Sequence, residues 1–96
     1  MPHFLAIYRP PRATFATDAT PEEDRVIGNH FQYLKRLLAE GKLILAGPCE
    51  DASMGLAVFE TADEKEARDI LAADPAVQGG VFTCDLKPYR VSLMRK

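Results

Sequence analysis

Two residues in this chain could do chemistry together: a histidine on the apolar stripe of a helix, His30, and an aspartate set directly before a proline, Asp74. His30 lies in GNHFQYLKRLLAEG (28–41), four residues after Val26 and four before Leu34, so the three share one helical face. A histidine buried there has to hydrogen-bond or it destabilises the fold. It either completes the core as a satisfied side chain or acts as a general acid/base held by a carboxylate, a pairing that fixes the tautomer and stabilises the imidazolium. Asp74 is the carboxylate to test. Aspartate followed by proline is also a standard N-cap with proline at the first helical position. The two duties are compatible, because a carboxylate has two oxygens.

Other polar residues are more ambiguous. Arg9, at the end of the first strand-like segment, is either a clamp for a substrate carboxylate or a solvated edge charge. Tyr33 follows His30 by three positions and neighbours it on the helix, so its hydroxyl either reaches the same pocket or packs in the core. Gly79-Gly80 form a turn into the last strand or let the backbone approach a ligand. Ser53 stands with Glu50 and Asp51 in a loop that lacks the features of a nucleophile elbow. No Cys/His spacing marks a metal site, and beyond the lone His30 there is no ligand pattern for haem or metal, so neither metal nor cofactor is expected.

The elements that must position these residues follow from periodicity and punctuation. HFLAIYR (3–9) reads as a strand stopped by Pro10-Pro11, and PPRATFATDAT as a long loop, a length that hints at function. Thr20, Pro21 and Glu23 open a helix as cap, first residue and capping-box partner, and Gly41 closes it. Val26, Ile27, His30, Phe31, Leu34, Leu37 and Leu38 recur on it at helical spacing. LILAGPC (43–49) and GLAVFET (55–61) read as a hairpin joined by EDASM. Asp63 with Glu66 opens a shorter helix through Ala72, and VFTCDLKPYRVSL (81–93) gives a last strand kinked at Pro88. The order βαββαβ is the ferredoxin-like α+β topology, a four-stranded antiparallel sheet with two helices on one face, in a single domain of residues 1–96.

That architecture has a consequence for assembly. Phe4, Ala6 and Tyr8 point to one face of the first strand while Leu5 and Ile7 point to the other, and the second and third strands, LILA and LAVF, are also apolar on both faces. Two helices cover one face, so the other is an apolar patch too large for a monomer, and a homodimer with its sheets face to face is expected. Net charge is -2, with 47% apolar and 27% charged residues, which provides no basic field for nucleic acid or anionic lipid. RNA-recognition motifs place stacking aromatics on the third strand, where this chain has MGLAVFE. There is no membrane-length apolar run and no secretory n- and h-region, so a cytoplasmic protein is expected, with Cys49 and Cys84 as buried, reduced thiols.

HFQYLKRLLAEGKLILAGP (30–48), GLAVFE (55–60) and DPAVQGGVFTCDLKPY (74–89), in this order and spacing, resemble the YCII-related (YciI-like) family of the dimeric α+β barrel superfamily. The resemblance implies an active-site dyad on His30 and Asp74, and a face-to-face dimer. One relative resembles a dehalogenating enzyme acting on a chlorinated hydroxymuconate, and muconolactone isomerase shares the broader fold. By fold-level analogy this implies proton transfer at carbon in a small, anionic, unsaturated acid, with an isomerase, lyase or dehalogenase outcome. The competing expectation is a non-catalytic dimeric ligand-binding or stress-associated protein whose histidine only completes the core. Solvent access beside His30 discriminates the two.

Overall fold

A computed structural model of the chain describes residues 1–95. Strand β1 (His3–Arg9) alternates as expected: Phe4, Ala6 and Tyr8 are buried and Leu5 and Ile7 are half-buried. After it comes a one-turn helix, α1 (Phe15–Asp18), inside the segment expected to be pure loop. Sequence periodicity cannot reveal a single turn. Here Arg12 braces it by donating to the Asp18 carboxylate at 2.8 Å and to the Asp18 carbonyl at 3.0 Å. Helix α2 (Pro21–Ala39) has the expected capping box, with the Glu23 N–H donating to the Thr20 hydroxyl at 3.1 Å and the Thr20 N–H donating back to Glu23 at 2.9 Å. Gly41 follows it at φ +79°, the left-handed geometry that favours glycine there.

Strands β2 (Leu43–Pro48) and β3 (Gly55–Glu60) form the hairpin, with a register shift between Leu43 and Leu45. Helix α3 (Glu64–Ala72) is capped by Asp63, which accepts from the Glu66 N–H at 2.8 Å. A second one-turn helix, α4 (Pro75–Gln78), leads to β4 (Thr83–Tyr89). The last strand is shorter than the expected 81–93. The amides of Val81 and Phe82 both donate to the Ala76 carbonyl, which commits them to the turn after α4. Pro88 is in register opposite Phe4, on an edge strand where its missing N–H costs no ladder bond.

The sheet order is β2-β3-β1-β4, all neighbours antiparallel, which is the ferredoxin-like α+β arrangement. Its inner face carries Ala6, Tyr8, Ala57 and Phe59 against Leu34 and Leu37 of α2 and Ile70 and Leu71 of α3. No helix among the described residues is long and apolar enough to cross a membrane.

The thiols depart from expectation. Cys49 sits just past β2 and is exposed, because the hairpin turn begins there. Cys84 is half-buried on the inner face, and burial, then the neighbouring Asp74 charge, push its thiol up to about 11. Phe59, on an inner strand, has no exposed surface. Phe59→Ala is expected to cost about 3–5 kcal/mol, read as a lower urea midpoint at unchanged slope.

Candidate active site

The DP dipeptide builds two things at once. Asp74 caps α4, its Oδ1 accepting from the Ala76 N–H at 2.9 Å, and Pro75 opens that helix. Because α4 packs on α2, the same carboxylate faces the middle of α2. There His30 Nδ1 lies 2.8 Å from both Asp74 oxygens. The turn after α4 holds this geometry. A Cβ on Gly79 would stand 3.0 Å from the Pro75 carbonyl and 3.5 Å from Val26 of α2, and Gly80 has φ +72°. Both glycines therefore serve the turn and the close approach of α4 to α2.

A third side chain completes the cluster. Tyr8, the last inward residue of β1, donates its hydroxyl to Asp74 Oδ2 at 3.1 Å. Burial, then the Asp74 charge, raise the Tyr8 phenol above its ordinary range, so it remains a donor through neutral pH. The Tyr8 ring meets the His30 ring edge-on at 5.1 Å, and Phe82 does the same from another side at 5.6 Å. The imidazole is thus held by a carboxylate at one nitrogen and by two aromatic rings around it.

The other nitrogen is open. With Nδ1 bonded to Asp74, a neutral His30 ring carries its lone pair on Nε2. Among the described residues nothing hydrogen-bonds to Nε2, and no buried side-chain nitrogen is left without a partner, so Nε2 is in contact with solvent. It meets that solvent at a cavity of about 700 Å³. The floor is apolar: Ile27, Phe31 and Leu34 from α2, Phe15 from α1, Phe82, and the free edge of β2. Lys35 contributes to the wall, and no Asp or Glu does.

Residues 1–89 match the YCII-related domain. The chain belongs to the YCII-related family. This YCII-related chain is 35% identical over 65 residues to an uncharacterised protein, YjpA, of Bacillus subtilis (strain 168), spanning 68% of the chain and 76% of that relative. Its fold is similar to that of a 5-chloro-2-hydroxyhydroquinone dehydrochlorinase from Burkholderia phenoliruptrix AC1100, solved with 2,5-dihydroxybenzoquinone. The TM-score is 0.66 and the identity 20%, covering 91% of this chain and 93% of that one.

Two of the four expected site residues lie elsewhere in this YCII-related fold. Arg9 points to the opposite side of the sheet, because Tyr8 before it points in, and it pairs with Asp85 at 3.2 Å. Tyr33 lies only about 60° around the helix from His30, but toward α3, where its hydroxyl donates to the Ile70 carbonyl at 2.7 Å. Tyr8 replaces them at the site. The signal was available, since an inward tyrosine at a strand end needs a buried acceptor.

The lip of the cavity is pinned by charge. Arg12 donates to both Glu23 oxygens, at 2.8 and 2.9 Å, tying the α1 segment to the first turn of α2. Hydrogen bonding from Arg12, and after it the Thr20 backbone, hold the Glu23 carboxyl down to about 2, against an ordinary 4.5. A carboxylate depressed in the folded state stabilises fully above pH 4.5 and loses that contribution as pH falls through about 2. Glu23→Gln is therefore expected to flatten the acid limb of thermal stability between those pH values while leaving the neutral limb parallel, as checked by melting curves across pH.

Proposed function

We propose that this protein is a small enzyme in which His30 is the general acid/base and Asp74 its positioning partner, acting on small unsaturated organic acids by an isomerase-, lyase- or dehalogenase-type reaction. One observation carries the reading: a single imidazole nitrogen opens on an apolar cavity while the other is gripped by a fully buried carboxylate.

In this scheme Nε2 takes a proton from a carbon made acidic by a conjugated carbonyl, and the C–H electron pair passes into the π system. Two endings balance. In elimination the pair forms the new double bond, a halide on the neighbouring carbon leaves with its bonding electrons, and the imidazolium later gives its proton to water. In isomerisation the same proton returns to a different carbon. Through both, Asp74 neutralises the charge carried by His30, and Tyr8 and the Ala76 amide keep the carboxylate in place. The apolar walls limit the water that competes for the carbanion. The dehydrochlorination named for the similarly folded Burkholderia protein is a reaction of the first type. The scheme needs no cofactor.

The working unit in this proposal is a cytoplasmic homodimer. Leu5, Ile7, Leu45 and Leu56 share the outer sheet face, Leu45 is 53% exposed, and Leu93 beside them is 95% exposed. Burying such a face contributes about 25 cal/mol per Å² before association costs. Two free cysteines fit a reducing compartment.

Turnover is tested with 5-chloro-2-hydroxyhydroquinone, scored by chloride release, and with a panel of unsaturated acids in deuterated water, scored by exchange at carbon. His30→Gln is expected to lose at least about 100-fold in rate with unchanged sedimentation. An equal rate in that variant overturns the acid/base role, and binding without turnover in the wild type supports a ligand-binding protein instead. Sedimentation at micromolar concentration is expected to give twice 10.6 kDa, and Leu5→Lys to shift it toward monomer. A wild-type monomer rejects the face-to-face pairing.

A further inference from the structure

Resting on the reading of the His30 cavity as a ligand site, we infer that Lys35 determines its specificity, by binding the anionic end of a flat, unsaturated carboxylate whose other end lies at His30. Three observations lead there. First, the wall contains no acidic residue, and its ionisable groups are His30, Lys35 and a Tyr8 phenol that stays protonated. A negative charge entering this space meets the positive charge of Lys35 and no carboxylate on the wall.

Second, among the described residues Lys35 has no carboxylate partner, whereas Arg12, Arg25, Arg36 and Lys42, the other cations on or beside α2, each pair with one. Lys35 instead rests its ammonium over the Phe31 ring, 5.6 Å from the centroid. A cation held on an aromatic face keeps its three donors free for an incoming anion.

Third, spacing on α2 sets the ligand's shape. Lys35 is five residues past His30, which places their Cα atoms about 9 Å apart and about 140° apart around the helix axis. Between them lie Phe31 and Leu34, and Phe82 stands against His30. A ligand bridging the two charged points therefore carries its carboxylate away from its reacting carbon, across a ring or a short conjugated chain lying on apolar walls. Arg9 cannot serve here, being on the far face of the sheet and already paired with Asp85.

The probes are trans-cinnamate and its uncharged analogue cinnamamide, titrated into the full-length protein and followed by backbone amide shifts of the cavity-lining residues. Wild type is expected to bind cinnamate about fivefold more tightly than cinnamamide, the scale of a solvent-exposed ion pair. That preference should shrink in 1 M salt. Lys35→Met is expected to abolish it without weakening cinnamamide, and Lys35→Arg to retain it. His30→Gln is expected to retain it too, which separates anion selection from proton transfer. If His30→Gln turns over normally while Lys35→Met loses the preference, the acid/base scheme fails and this inference stands. Equal affinities in wild type, a preference that survives Lys35→Met, or no cavity shifts from either probe at millimolar concentration overturns the inference.

Discussion

The site and much of the fold around it depend on one carboxylate that has no contact with water. Asp74 is fully buried. Removing a carboxylate from water is costly unless donors replace the lost hydration. Three donors do so here, each from a different part of the chain: the Ala76 amide at the start of α4, the Tyr8 hydroxyl at the end of β1, and His30 from the middle of α2. The same atoms that orient the imidazole also fasten the sheet to its longest helix and cap the short one. Fold and site share their fastening.

That sharing explains why α2 carries a wider apolar stripe than its core needs. Leu34 and Leu37 are buried against the sheet, whereas Phe31 and Leu38 remain 59% and 55% exposed. One half of the stripe closes the core and the other half forms the wall of the cavity, with His30 near the seam between them. An isolated surface helix would not afford such exposed side chains without cause, and here they keep water scarce beside the one open nitrogen.

Much of this was legible from residue order alone. Period-two alternation in HFLAIYR placed its inward and outward residues correctly, and Thr20 with Glu23 marked the helix start, because both signals are local and backbone geometry enforces them. The meeting of His30 with Asp74 spans 44 positions, and it was expected from the family resemblance more than from spacing. Arg9 and Tyr33 show where local reading runs out. A shift of one position along a strand reverses the face, and the roughly 60° between helix positions three apart is enough to direct Tyr33 to the Ile70 carbonyl, so proximity in sequence did not become a shared pocket. Tyr8 was read as an inward residue, but its partner lies 66 positions away and no periodicity points to it. The short α1 was missed because its turn is set by the Arg12 brace.

The symmetric seat of His30 has a mechanical corollary. Its Nδ1 stands the same 2.8 Å from both carboxylate oxygens instead of favouring one. A ring seated on the bisector of its acceptor can rock toward either oxygen and stay bonded throughout. Under the proposed acid/base role, that latitude lets the open nitrogen address two adjacent atoms of a bound molecule while its partner nitrogen stays on the carboxylate.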